Sequence, residues 1–325
     1  MMNTCQAYRL IEKRDIEELN GTGLLYEHIK SGAKLFVIKN NDKNKVFTIG
    51  FRTTPKDSTG VAHIMEHSVL CGSRKYPLKD PFVELAKGSL NTFLNAMTFP
   101  DKTIYPIASM NDKDFMNLMD VYMDSVFYPN VYKDERIFRQ EGWHYELLNR
   151  GKSDEELKIN GVVYNEMKGA FSNPDSVLES RITRVLYPDT TYANESGGLP
   201  SDIPELSYED FLDFHKSYYH PSNSYIYLYG DLDVEEKLAW IDDNYLSHFD
   251  RIVVDSHIDR QQAFEEPVSE TSEYAIGLNE DSENKAYLSV NFSIEDEATQ
   301  VNAIAWQILE SVLLSSTGAI LREAL

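Results

Sequence analysis

The sequence predicts an α+β fold built in layers, followed by a second domain that is incomplete. β-rich segments and helical patterns both occur along the chain, and they do not alternate as a strict βαβ repeat. A polar, acidic stretch at residues 253–273 separates a long first region from a short last one. The 325 residues also exceed the roughly 100 to 200 residues of an ordinary single domain.

The first elements of the chain are β-rich. Leu35, Val37 and the run from Val46 to Phe51 favour strands, and the residues from Asn40 to Asp42 supply turn chemistry between them. We therefore expect a β-hairpin within residues 23–53.

Helices follow this hairpin. The segment PKDSTG, residues 55–60, offers Asp57, Ser58 or Thr59 as the N-cap of a helix from Val61 to Leu70. Beyond it the patterns predict helices at residues 80–87, 112–127, 133–141 and 160–171 and a helix-like segment after Pro174. A Pro/Gly-rich loop at 187–204 then leads into residues 208–218, and a strand is expected at 224–229.

These elements suggest a domain over residues 1–252, a connector over 253–273, and the beginning of a second domain over 274–325. A strand at 286–294 and a helix at 299–314 are expected in the last segment. They would bury too little apolar surface by themselves, which is why the second domain is predicted to be incomplete.

Charge and composition exclude some partners. A formal net charge of −22 repels phosphate backbones, and no basic stripe offsets it, so nucleic-acid binding is not expected. No 18 apolar residues run together, which predicts no membrane span. The opening stretch has acidic residues and no apolar core of a signal peptide, and two cysteines are too few for a disulfide framework. We expect a cytoplasmic protein.

The segment that bears most directly on function is His63-Ile64-Met65-Glu66-His67. In a helix, residues four apart lie on one face, so both imidazoles can reach a single metal ion. Glu66 lies on the flank of that face, where its carboxylate can approach a metal-bound water. The H-x-x-E-H order is a metallopeptidase signature. The alternative is an amphipathic helix with two ordinary histidines.

A catalytic zinc usually has three protein ligands, so one ligand remains to be found. Glu166 is favoured because it lies in a predicted helix among apolar neighbours, where a carboxylate needs a partner. The alternative for Glu166 is an exposed helical glutamate. Other candidates are Glu84, Glu141 and Glu146. Cys71 is close in sequence to the motif, and we interpret it as a buried thiol rather than a ligand.

Residues 57–109, which include DSTGVAHIMEHSVLCGSRKYPLKDPF, and residues 161–170, GVVYNEMKGA, closely resemble the M16 metallopeptidases. The resemblance is to the presequence protease subgroup, which is related to insulysin and pitrilysin. It implies a LuxS/MPP-like fold: an antiparallel-rich sheet with helices packed on one side, followed by the start of a second similar domain.

The same resemblance implies that His63, His67 and Glu166 bind zinc and that Glu66 is the general base. Zinc lowers the pKa of a bound water to about 7. Glu66 would take a proton from that water and pass it to the leaving amine of a peptide. The expected activity is that of a zinc metalloendopeptidase acting on unfolded peptides.

Substrate binding is expected at the strand around Asn95 and Ala96, which matches an edge strand that pairs with peptides in M16 relatives. The alternative is an ordinary internal strand. Leu70, Phe82 and Val83 resemble positions that line an apolar S1 pocket, and they are equally well explained as core.

M16 relatives are longer and consist of two homologous halves, so the resemblance implies that the missing carboxy-terminal half of the same protein is a partner. We therefore expect this chain to bind zinc and to cleave peptides poorly on its own. The alternative functions are a non-catalytic M16-like peptide-binding or scaffold subunit, and a metal-dependent hydrolase acting on other substrates. Structural roles are expected for His144 and for the cluster from Tyr218 to Pro221.

Overall fold

The structure is a computed structural model that describes residues 6–79, 81–293 and 299–324. It divides into two compact units, Met1–Asp281 and Ser282–Leu325. The strands of the first unit are β1 (Tyr8–Ile16), β2 (Gly21–His28), β3 (Lys34–Lys39), β4 (Lys45–Arg52), β5 (Asn91–Leu94), β6 (Met97–Thr98), β7 (Lys102–Ser109), β8 (His144–Leu148), β9 (Glu156–Asn160) and β10 (Ser224–Gly230).

The first six helices of the first unit lie close to the ranges that the sequence patterns predict, whereas the last two were not predicted as helices. They are α1 (Val61–Val69), α2 (Pro81–Gly88), α3 (Asp112–Phe127), α4 (Glu135–Glu141), α5 (Val162–Ala170), α6 (Pro174–Leu186), α7 (Tyr208–Tyr218) and α8 (Val234–Asn244). The helix predicted at 80–87 is α2, except that Asp80 lies outside the described residues.

The main sheet has the strand order β1-β2-β3-β10-β4-β7-β5, and β6 also pairs with β7. Only the pairing of β10 with β3 is parallel. Along β10 the alternate residues Ile226 and Leu228 are buried, whereas Tyr225 is half exposed. Helix α3 packs against β4 and β7. The α+β class with an antiparallel-rich sheet is confirmed.

Both predicted strands within residues 23–53 are present as β3 and β4, but the predicted hairpin between them is wrong, and β3 instead pairs antiparallel with β2. β3 and β4 are joined by a turn, in which the Asn40 and Asp42 side chains accept hydrogen bonds from the chain two residues on. The two strands are nevertheless not partners, because β10 lies between them and pairs with both. The turn residues determine only the local backbone, whereas β10, which separates β3 from β4, comes from much later in the chain.

The predicted cap of α1 is also wrong. The N-cap residue is Gly60, with no side-chain cap. Asp57 instead accepts hydrogen bonds from the backbone and hydroxyl of Thr59, in a turn that precedes the helix. The Ser58 hydroxyl accepts from the backbone of Glu195, which ties this turn to a distant loop.

The second unit, described by itself, contains α9 (Gln300–Glu310), a π-helical turn (Ser311–Ser315) and α10 (Ile320–Ala324). Residues 286–293 form no strand, so that prediction is wrong, and Ile294 lies outside the described residues. None of the strand pairings found in the described part of the chain includes these residues.

By length and composition, one segment of this unit, Gln300–Ala324, is apolar enough to cross a membrane, because an 18-residue window within it has a mean hydropathy of 1.4. The core helix of a soluble domain has the same composition. The absence of 18 consecutive apolar residues in the sequence therefore does not exclude a membrane-spanning segment. That no membrane is involved stays a prediction, as do the domain boundaries.

Candidate metal centre

Helix α1 presents the two histidines of the motif on one face. The ring centroids of His63 and His67 are 4.9 Å apart, with the ring planes at 80° to each other. Ile64 and Met65, on the opposite side of the helix, are fully buried in the core. The apolar face therefore fixes the helix against the core and leaves the two imidazoles at its other face.

Helix α5 brings Glu166 to the same place. Its Oε2 atom lies 3.7 Å from His63 Nε2 and 3.9 Å from His67 Nε2. One ligand atom from each of these three residues lies within 4.8 Å of the other two. The Glu166 side chain is 54% exposed, whereas the His63 side chain is 11% exposed, so the group opens to solvent on the side of the carboxylate.

Two glycines hold the helices that carry these residues close together. Gly142 ends α4 and Gly161 precedes α5, and a Cβ atom at position 161 would lie 2.0 Å from the carbonyl oxygen of Gly142. No other residue fits at that approach. A Cβ at position 142 would in turn lie 3.1 Å from Ile64 of α1. This contact sets α1, α4 and α5 side by side.

A second close approach lies at the start of α1. Gly60 has a φ of +71°, and a Cβ there would meet the carbonyl oxygen of Gly197 at 2.8 Å. That carbonyl accepts a hydrogen bond of 3.2 Å from His63 Nδ1. Because a carbonyl oxygen only accepts, the proton lies on Nδ1 and the Nε2 lone pair is left for a metal.

His67 is held by a different partner. Its Nδ1 donates to Glu141 Oε2 at 3.3 Å, and Gln140 donates to the other oxygen of that carboxylate at 2.9 Å. The two nitrogens of an imidazole point in opposite directions. Glu141 therefore lies on the side of His67 away from Glu166, and it is not placed as a third ligand.

The charges around His67 change its pKa. Burial by itself lowers the pKa of His67, but the hydrogen bond with Glu141 and the charges of Glu66, Glu141 and Glu166 outweigh it and raise the pKa above its ordinary value. Burial acts to raise the pKa of Glu141, yet the hydrogen bonds from His67 and Gln140 hold it below its usual range. Glu141 is therefore an ionised carboxylate at neutral pH.

Glu66 lies beside the two histidines and is 7% exposed. Its Oε2 atom accepts a hydrogen bond of 2.7 Å from the Thr98 hydroxyl at the end of β6. Sequence reasoning missed Thr98 in this role, although it falls in the segment considered for substrate binding. It also missed the contact of Gly197 with His63, because nothing local in the sequence joins that loop to α1.

The three residues fit a zinc ion. At a tetrahedral angle, ligand atoms about 2.0 to 2.2 Å from zinc lie about 3.4 Å apart. The Glu166 Oε2 atom lies 3.7 and 3.9 Å from the two Nε2 atoms, only slightly more than this, and the three ligand atoms all lie within 4.8 Å of one another. Both Nδ1 atoms are already hydrogen-bonded, as is usual for metal-ligating histidines.

The other candidate residues lie elsewhere. Glu84 is exposed on α2, and Glu146 accepts a hydrogen bond from Asn160. The Cys71 thiol donates to the backbone carbonyl of His67 at 3.5 Å. His144 donates through Nδ1 to the Arg139 carbonyl. None of these four belongs to the metal-binding group found among the described residues.

The segment around Asn95 and Ala96 forms an edge of the main sheet. β5 and β6 both pair with β7, and no strand within the described residues pairs with their other side. The alternative of an internal strand is therefore wrong. Asn95 donates its backbone N–H to Pro106 at 3.2 Å, and its side chain accepts from the Ala96 N–H at 3.0 Å. A role in substrate binding stays a prediction.

The three residues predicted to line an S1 pocket differ in how deeply they are buried. Leu70 is buried in the hydrophobic core, Phe82 packs against that core, and Val83 is half buried on α2. Their assignment to a pocket also stays a prediction. In the Tyr218 to Pro221 cluster, both tyrosines are buried, and Tyr219 shares a hydroxyl hydrogen bond with Tyr105.

The fold resembles a solved structure titled "Crystal Structure of pitrilysin", with a TM-score of 0.56 and 18% identity over 74% of this chain and 24% of that one. Residues 46–196 match the family model "Insulinase (Peptidase family M16)", and residues 205–325 match "Peptidase M16 inactive domain". The chain belongs to the M16 peptidase family, which confirms the resemblance seen in the sequence.

Two relatives with similar sequences support this family assignment. "Protein HypA" of Clostridium perfringens is 55% identical over 99% of this chain and 33% of its own length. "Presequence protease 1, chloroplastic/mitochondrial" of Arabidopsis thaliana is 45% identical over 98% of this chain and 29% of its own. The chain thus spans about a third of the length of these relatives.

Proposed function

We propose that the chain carries the zinc centre of a metalloendopeptidase that degrades unfolded peptides. The observation that supports this most directly is the convergence of His63, His67 and Glu166, whose ligand atoms lie within 4.8 Å of one another. Glu66, one position before His67 on the same helix, supplies an acid–base group beside them. Membership of a peptidase family supports the same reaction class.

A bound zinc ion supplies Lewis-acid chemistry, polarising a peptide carbonyl and making a water more acidic. His63 and His67 would hold it through Nε2, since their Nδ1 atoms donate to Gly197 and Glu141. Glu66 would accept the proton of the attacking water and deliver it to the departing amine. The Thr98 hydroxyl holds Glu66 Oε2, so Oε1 is the oxygen left to carry the proton.

The edge formed by β5 and β6 supports a peptide substrate. An extended peptide can add to such an edge through backbone hydrogen bonds, which recognise an unfolded conformation rather than a particular sequence. Thr98 lies on β6 and contacts Glu66, so a peptide paired with this edge would run past the candidate acid–base group. Phe93, on β5, is 47% exposed and offers apolar contact.

The relatives are about three times as long as this chain, and we propose that the region it does not cover contributes to activity. We expect the chain alone to bind zinc and to cleave peptides slowly, and the rest of the protein to restore the rate. Rapid peptide cleavage by residues 1–325 alone would contradict this expectation. The cytoplasmic location and the absence of a nucleic-acid partner remain part of the proposal as inferences from composition, and the absence of a membrane partner stays a prediction.

Two other functions compete. A non-catalytic peptide-binding or scaffold subunit needs no metal, and the convergent ligand set argues against it. A metal-dependent hydrolase of other substrates would need a different recognition site. The sequence contains neither a G-x-x-x-x-G-K phosphate loop nor a G-x-S-x-G nucleophile elbow.

Metal analysis of the purified chain tests the proposal. The wild-type chain should retain about one zinc per molecule after dialysis, and Glu166→Gln should retain much less, because one of three protein ligands is lost. Glu146→Gln is the matched control, since that exposed carboxylate bonds only Asn160 nearby. Undiminished zinc in Glu166→Gln would remove Glu166 from the ligand set, and no zinc in the wild type would favour the scaffold function.

A further inference from the structure

Glu141 is a buried carboxylate whose position needs an explanation. It is the last residue of α4 and is 7% exposed. A carboxylate removed from water is costly unless it is paired and hydrogen-bonded. Its Oε2 atom accepts from His67 Nδ1 at 3.3 Å and its Oε1 atom accepts from Gln140 Nε2 at 2.9 Å, so both oxygens have donors.

The surroundings keep this carboxylate in place. Helix α4 packs against both α1 and α5, the two helices that carry the metal-binding residues. Phe138, one turn before Glu141, is fully buried in the core. Gly142, the next residue, approaches Ile64 of α1 so closely that an added Cβ would lie 3.1 Å away. The end of α4 therefore has little freedom to move relative to His67.

We infer that Glu141 is a positioning residue for the metal site, which orients the His67 imidazole and increases its affinity for a divalent metal. This inference rests on the proposed zinc centre. Because a carboxylate only accepts, the proton of His67 lies on Nδ1 and the Nε2 lone pair is directed toward Glu166. The negative charge also makes the imidazole a stronger donor to a metal.

The two histidines differ in this respect. His63 donates to the neutral carbonyl of Gly197, which fixes its tautomer and adds no charge. His67 donates to the carboxylate side chain of Glu141. Loss of Glu141 should therefore weaken metal binding even though no metal ligand has been removed, and the effect should be smaller for a variant that keeps an acceptor.

The experiment compares Glu141→Ala and Glu141→Gln with the wild-type chain by zinc titration against a competing chelator. We expect Glu141→Ala to bind zinc about 10- to 100-fold more weakly, the range typical of lost outer-shell partners. Glu141→Gln, which keeps an oxygen acceptor without the charge, should lie between the two. The visible absorption spectrum of bound Co²⁺ should change in Glu141→Ala, because one imidazole is no longer held in orientation.

Glu135→Gln is the matched control, because Glu135 lies on the same helix and bonds only the exposed Arg139 side chain. Unfolding of the metal-free variants by urea separates positioning from simple stabilisation. An unchanged zinc affinity and Co²⁺ spectrum in folded Glu141→Gln and Glu141→Ala would overturn the role of Glu141. A wild-type chain that binds no zinc would instead overturn the proposed centre itself, so the two failures are distinguishable.

Discussion

The Thr98 hydroxyl donates a hydrogen bond of 2.7 Å to Glu66 Oε2, and it joins the edge of the sheet to the helix that carries the metal motif. Thr98 is half buried, at the end of β6. A hydrogen bond to an ionised carboxylate is stronger than one between neutral groups. The contact therefore fixes the orientation of the candidate acid–base group from the strand on which a peptide is expected to bind.

Replacing Thr98 by valine should slow peptide cleavage, measured with an active protein that includes residues 1–325. Valine has the shape of threonine without the hydroxyl, and a hydrogen bond to a charged group contributes about 1.5 to 3 kcal/mol, so a fall in kcat of about 10-fold or more is expected. KM should change little. Thr92→Val is the control, because Thr92 lies on β5 at the same edge and its hydroxyl donates to Asn44, in the turn before β4. Equal rates for the two variants would contradict the role of Thr98.

Gly161→Ala should destabilise the first unit and weaken metal binding together. The added Cβ would lie 2.0 Å from the carbonyl oxygen of Gly142, which forces α5 away from α4. We expect a loss of about 3 kcal/mol in unfolding free energy, measured with urea. Gly169→Ala, in α5 with nothing within 4 Å, should instead stabilise by about 0.5 to 1 kcal/mol. An unchanged unfolding free energy and unchanged metal binding in Gly161→Ala would show that the close approach of Gly161 to Gly142 is not required.

Acid should destabilise the fold partly through His215. Its Nε2 donates to the Val126 carbonyl and its Nδ1 accepts from the Tyr132 hydroxyl, so the ring is buried and neutral. Burial lowers the pKa of His215 to about 4, against about 6.5 in the unfolded chain. The unfolded state therefore binds more protons in this range. The stability that depends on neutral His215 is complete above about pH 6.5 and is lost as the pH falls to about 4.

Urea unfolding at several pH values measures this effect. The unfolding free energy of the wild type should fall by up to about 3 kcal/mol more than that of His215→Gln between pH 6.5 and pH 4. His257→Gln is the control, because that histidine is 76% exposed in the connector. Parallel curves for the wild type and His215→Gln would show that burial of this ring does not contribute to acid sensitivity.

The sequence predicted those parts of the site that depend on one segment. The spacing of His63 and His67 places both rings on one helix face, and the helix was recognisable from its own apolar pattern. Glu166 was favoured among several acidic residues because of its apolar neighbours in a predicted helix, and the resemblance to a family implied that it is a metal ligand. The structure places its carboxylate beside both rings.

The parts that could not be predicted depend on contacts between distant segments. β10 separates β3 from β4 although a turn joins them. The start of α1 is set by the approach of Gly60 to Gly197 rather than by a capping side chain. Glu141 was considered as a metal ligand, yet it lies on the opposite side of His67. No periodicity or spacing contains this information.

A chain ending at Asp281 should bind zinc as tightly as the full 325 residues. The metal-binding residues, Glu141 and the sheet edge all belong to the compact unit Met1–Asp281. In the second unit, apolar side chains such as Val301 and Ile308 are at least 60% exposed, and exposed apolar surface favours association. Removing residues 282–325 should leave the zinc Kd within about twofold, since no ligand is lost. It should also reduce self-association in sedimentation velocity. A large loss of zinc affinity in the shortened chain would show that the second unit supports the metal site, and the site would then not be a property of the first unit alone.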